Sequence, residues 1–144
     1  MKRNPLEIEH SVLMARTALA CLMEKERQWL TIRKIDLSED DFRKHPVDGG
    51  RDVYWFLMLF SHHDDHPRYG QRHCSVQFFY QERIDDTSTH QRTELFVTIM
   101  ARGLREEQSA ITVDELEREG LGQYVQKGLD RAAAWYPPLT VWDK

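Results

Sequence analysis

Basic charge is in short supply in this chain. Twenty Lys and Arg residues stand against 24 Asp and Glu, leaving a net charge of -4 over 144 residues. No run of basic residues overrides that total. Nucleic acid is therefore not an expected partner, because phosphate binding needs a surplus of Lys and Arg on one face. Cysteine is scarce too, with only Cys21 and Cys74. They show no CxxC spacing, so they read as lone, reduced, partly buried thiols of a cytoplasmic protein, with a single bridge between them left open. Long hydrophobic runs are missing. The longest, Val53 to Phe60, is far short of a bilayer span. The start, MKRNPLEIEH, is basic but leads into no unbroken apolar segment, so it does not read as a signal peptide. A soluble, cytoplasmic chain with no membrane contact is the expectation.

Catalytic signatures are also wanting. There is no Gly-rich phosphate loop, no serine in a nucleophile-elbow context, no HExxH and no Cys/His knuckle. Repeats, low-complexity tracts and interdomain linkers are absent as well. What is present is ordinary for a globular protein: 40% hydrophobic and 31% charged residues. The length is one domain's worth, 1–144, enough to bury a core without disulfides or metal.

The chain opens with Asn4 as cap and Pro5 at the first helical position. Ile8, Val12, Ala15, Leu19 and Leu22 recur at helical spacing, widened by Leu6, Leu13 and Met23. This predicts an amphipathic helix to about Glu26. Trp29 to Leu37 has Leu30 and Ile32 in alternation, which reads as a first strand. Ser38 then caps an acidic helical turn over Glu39 to Lys44, and His45-Pro46 with Asp48-Gly49-Gly50 makes a loop. Val53–Phe60 reads as a central strand, being short, aromatic and apolar on both sides. His73 to Arg83 and Glu94 to Arg102 alternate and give two more strands. The connections of hairpin length, Pro67–Gly70 and Asp85–Gln91, favour an antiparallel meander. Thr112 with Glu115 forms a capping box opening a short helix to Gly120. A second helix, Leu121 to about Tyr136, follows, and Pro137-Pro138 ends it before a short apolar tail, Leu139 to Trp142. The fold class is α+β: an antiparallel sheet of about four strands, with an N-terminal helix and C-terminal helices mainly on one face.

Two features draw a functional reading. Trp55, Leu57, Val76, Phe78, Val97 and Ile99 are expected to meet the helices. The opposite face then carries Tyr54, Phe56, Met58, Phe60, Phe79, Phe96 and Met100. That is too much apolar surface to leave in water on a monomer. The C-terminal helices and tail, a second copy of the chain, or a ligand pocket would have to cover it.

The second feature is the polar end of the central strand, where His62, His63, Asp64 and His66 crowd together. The hairpin brings His73 opposite His63 and Cys74 opposite His62. Imidazole, carboxylate and thiol are suitable ligands for zinc or another transition metal. Imidazole also serves general acid–base chemistry. A solvated turn accounts for the same residues without either role, and no cofactor is otherwise called for.

The leading functional expectation is therefore a non-enzymatic interaction protein, an adaptor, inhibitor or chaperone-like domain. It would associate as a homodimer or with a protein partner through an apolar sheet face. The alternatives are a small-molecule-binding protein or enzyme with a pocket between sheet and helices, and a metal-binding protein using His62, His63, Asp64, His66 and His73.

Overall fold

The computed structural model describes residues 5–41, 53–66, 70–83 and 94–136. Helix α1 spans Pro5–Ile32 and leads into strand β1, Asp36–Asp41. Strands β2 (Val53–His66), β3 (Gly70–Arg83), β4 (Glu94–Ala101) and β5 (Arg105–Thr112) follow. Helices α2 (Val113–Glu119) and α3 (Leu121–Ala134) close the described chain. The strands form one five-stranded sheet in the order β1-β2-β3-β4-β5, every pair antiparallel. This is the expected α+β meander, with five strands rather than about four. Among the described residues no helix is long and apolar enough to cross a membrane. Asn4, the 42–52 loop, the Asp85–Gln91 loop and the Leu139–Trp142 tail, all named above, lie outside the described residues.

The two strands that were not expected are the edges, and both are polar. Strand β1, DLSEDD, stands where an acidic helical turn was expected. Leu37 is its one apolar contribution and pairs with Phe60 over the core. Strand β5, REEQSAIT, buries only its last two residues, Ile111 and Thr112. Edge strands are stabilised by pairing on one side alone, and charge on them discourages a further chain from adding on. Neither carries the apolar alternation that marks an inner strand.

Helix α1 runs on to Ile32, through the segment expected as a first strand. The helical stripe explains this: Leu19, Leu22, Met23 and Leu30 are buried and Trp29 packs against them. The spacing of three and four outweighs two residues of alternation. The helix ends without glycine. Ile35 N–H donates to the Leu30 carbonyl at 3.0 Å and Lys34 N–H to the Thr31 carbonyl at 3.0 Å. That is the Schellman pattern, with Lys34 itself in the left-handed region at φ 58°. The turn sends the chain straight into β1.

Buried residues settle which face of the sheet the helices cover. Phe56, Met58 and Phe60 of β2 are 0–1% exposed, and Val76 and Phe78 of β3 and Val97 of β4 match them. Pairing puts Phe56 beside Tyr80, Met58 beside Phe78 and Phe60 beside Val76. From the helices, Val12, Leu19, Leu116, Val125 and Ala132 complete the same core. Phe60 and Phe78 meet edge-on, with ring centroids 5.7 Å apart.

Helix α3 lies so close to β3 that a Cβ on Gly128 would come within 2.6 Å of Val76 Cγ2. Here the glycine that lowers helix propensity is what permits the approach. The expected α3 face is borne out: Leu121, Val125, Leu129, Ala132 and Tyr136 are all buried. So is the cap of α2. Thr112 Oγ1 accepts from Glu115 N–H at 3.1 Å and donates to Glu115 Oε1 at 2.9 Å.

Candidate functional site

The sequence reading of the two faces needs one correction. Phe56, Met58 and Phe60 were expected on the second face, yet they lie under the helices. Trp55 and Leu57 were expected under the helices, yet they lie on the open face and are half-buried. The cause is a one-residue slip in parity between β2 and its neighbours, which turns every β2 side chain over. The expected pairing of His62 with Cys74 and His63 with His73 is the observed register. Continued down the hairpin, that same pairing sets Phe60 against Val76, so it contained the right parity. Phe79, Phe96 and Met100 do lie on the open face. The backbone of Tyr54 pairs with Glu82, and its side chain is outside the described set.

The open face is built from alternate residues of three inner strands. Trp55, Leu57 and Leu59 come from β2, Gln77, Phe79 and Gln81 from β3, and Phe96, Thr98 and Met100 from β4. Trp55 and Phe79 face each other at 6.0 Å between centroids. Phe96 is 51% exposed, far more than any aromatic ring of the core. It stands at the rim of a groove of about 320 Å³, walled by Phe79 and Thr98 and by the amides Gln77, Gln81 and Gln108. No charged side chain is set among these residues between Trp55 and Ser61 or between Ser75 and Gln81 on this face.

At one end of the same face stands a histidine pair. His63 Nε2 lies 3.3 Å from Asp36 Oδ2, a contact of exposed groups that contributes little to stability. The rings of His63 and His73 meet edge-to-face at 5.0 Å. His73 Nε2 is buried and lacks a hydrogen-bonding partner. Burial lowers the His73 pKa from its ordinary value, and the nearby His63 and Arg102 lower it further. The backbone here is pinned by Tyr136, whose hydroxyl accepts from His73 N–H at 3.2 Å and donates to the Arg102 carbonyl at 3.1 Å.

The strand geometry divides the candidate metal ligands. Successive residues of a strand point to opposite faces. His62 therefore shares the helix side with Cys74, while His63 and His73 share the open side. The side chains of Asp64 and His66 lie outside the described set. Among the described residues no group of three or more His, Cys, Asp or Glu side chains could hold a metal ion. Neither cysteine forms a disulfide; Cys21 is exposed on α1 and Cys74 buried on β3. Trp135 acts as a packing anchor, with the Arg105 guanidinium 4.9 Å above its ring.

Comparison with protein-family models, with curated proteins and with solved structures finds no match for this chain.

Proposed function

We propose that this chain is an interaction protein that pairs with a second copy of itself through the open sheet face. The observation that carries the reading is the make-up of that face. Helices occupy one side of the sheet, and the other presents Trp55, Leu57, Leu59, Phe79, Phe96 and Met100 on the three inner strands, uncharged at these positions, with the charged residues Asp36, Asp40 and Glu106 on the flanking edge strands. In a twofold contact each patch meets its own copy, so a charged centre would repel itself. An uncharged, aromatic centre does not. Phe96 and the groove beside it lie on one surface, which lets the ring of each copy seat in the groove of the other. The neighbouring glutamines supply donors and acceptors around the ring.

Sedimentation equilibrium at micromolar concentration tests the pairing. The wild-type chain is expected to be a dimer. Phe96→Asp places a carboxylate in the middle of the contact and should weaken association at least about tenfold. The substituted side chain is exposed in the protomer, so the far-ultraviolet spectrum and thermal unfolding of the monomer should stay unchanged. A wild-type chain that stays monomeric at about 100 µM, two orders above a micromolar Kd, removes the reading.

A further inference from the structure

Phe79 and Phe96 stand directly opposite each other in the β3–β4 register. Aromatic side chains so placed ordinarily pack together, because their Cβ atoms are about 5 Å apart. Here Phe79 turns to Trp55 instead, at 6.0 Å between centroids, and its ring makes no contact with that of Phe96. Both rings line the groove of about 320 Å³. The groove is therefore a slot bordered by two aromatic rings that the fold leaves apart.

The ends of the slot are polar. Gln77 and Gln81 lie two residues to either side of Phe79, on the same face. Gln77 pairs in register with Thr98, and Thr98 with Gln108. Two amides and a hydroxyl thus cross three strands at one end, and Gln81 stands at the other. Among the described residues none of the three glutamine amides makes a side-chain hydrogen bond. No charged side chain lines the slot.

We propose that this slot binds a neutral nucleoside, with its base stacked between the Phe79 and Phe96 rings. Every base has a flat face, and stacking on aromatic side chains is how such faces are held. A glutamine amide offers its N–H and C=O side by side, the arrangement that pairs with one edge of adenine. Gln77 and Gln81 are about 13 Å apart along the strand, at about 3.3 Å per residue. That span suits a base with its ribose better than a base alone. The volume lies at the lower end of the range for ligand sites, about 300–1,000 Å³. The lining offers a phosphate no cation, and Glu106 stands two residues from Gln108 on the same edge strand. A nucleotide therefore gains nothing over a nucleoside, and a nucleic acid strand finds no basic track. This inference does not rest on the pairing of two copies. A base and the Phe96 ring of a second copy fill the slot one at a time, so the nucleoside is a ligand of the unpaired protomer.

Adenosine is a suitable probe in nitrogen-15 correlation spectra of the full chain. It should move the amide signals of Phe79, Thr98 and Gln108 saturably, with a Kd of about 1 mM or tighter. The protons of the adenine ring should shift upfield, the signature of stacking on an aromatic face. Phe96→Leu keeps an apolar side chain on an exposed site and should weaken adenosine about tenfold. Gln108→Ala, also exposed, should weaken it several-fold, the usual share of one hydrogen bond. Adenosine 5′-monophosphate should bind no tighter than adenosine. Glucose, neutral and rich in donors but not flat, should bind at least about tenfold more weakly.

Absence of saturable shifts at those amides overturns the proposal, as does equal binding by wild type and Phe96→Leu. Tighter binding of the monophosphate overturns the assignment to a neutral ligand, and glucose as tight as adenosine overturns the stacked base. Sedimentation separates this proposal from the pairing. A monomeric chain that binds adenosine supports the nucleoside site and removes only the pairing. A dimer whose signals adenosine leaves unmoved removes only the nucleoside site.

Discussion

Both faces of this sheet carry large apolar side chains, and those side chains stand in opposite surroundings. Phe78 and Phe79 are neighbours in the chain, and one is 0% exposed while the other lies half-buried on the open side. Phe78 touches Phe60 edge-on at 5.7 Å and the Tyr124 ring at 5.9 Å, with two helices above it. Phe79 meets Trp55 alone among the described rings, at 6.0 Å. Composition does not separate the two residues; what is stacked on each face does. The helix-covered face is the core, and the open face is apolar surface that the fold itself leaves half-finished.

A pair of truncations puts the largest strain on that comparison. Phe78→Ala should destabilise the chain by about 3–5 kcal/mol, since it empties a closed, well-packed site. Phe79→Ala removes the same atoms from the open face and should cost the protomer under about 1 kcal/mol, while weakening self-association. Urea unfolding at low and high protein concentration measures both effects. If the two variants lose equal stability in the monomer, the faces are not different in kind.

The inner strands of this fold were legible from sequence, β3 and β4 by apolar alternation and β2 by its unbroken, aromatic-rich apolar run. The edges were not. Nothing in DLSEDD or REEQSAIT signals a strand, because an edge pairs through its backbone and leaves most of its side chains in water. The end of α1 was hidden for a related reason. Its left-handed residue is Lys34, where a glycine would have marked the stop.

The parity of β2 was obscured by its own hydrophobicity. With Trp55, Leu57 and Leu59 on one side and Phe56, Met58 and Phe60 on the other, neither side declares itself as the core. The deciding information sat in the polar half of the strand, where His62 pairs with Cys74 and His63 with His73. The candidate ligands were therefore visible as a cluster in sequence but separated in space, because adjacent strand residues part company across the sheet.

A second prediction sharpens the tightness of the covered face. Gly128→Ala would raise the intrinsic helix propensity of α3 by about 1 kcal/mol. The new methyl would nevertheless come within 2.6 Å of Val76 Cγ2, so the helix must move off the sheet. Overpacking of that kind costs about 1–3 kcal/mol, and a net loss of stability is expected. A gain, seen as a higher midpoint of urea unfolding at unchanged slope, would mean that α3 sits more loosely on β3 than the core geometry implies.

The smallest effect belongs to the open face and depends on pH. His73 has a pKa lowered from its ordinary value of 6.5, first by burial, then by His63 and Arg102. A histidine lowered in the folded state is one whose neutral form the fold prefers. The unfolded chain then takes up the proton more readily, so stability must fall as the solution is acidified. The contribution is complete above about 6.5 and is lost as pH drops through the lower, folded value. Replacing His73 with Gln removes the titrating ring and should flatten the acid side of the stability profile relative to wild type. Urea midpoints taken in steps from neutral pH downward resolve the difference. A steeper acid loss in His73→Gln would show that protonation at this corner strengthens the open face, reversing the sign argued here.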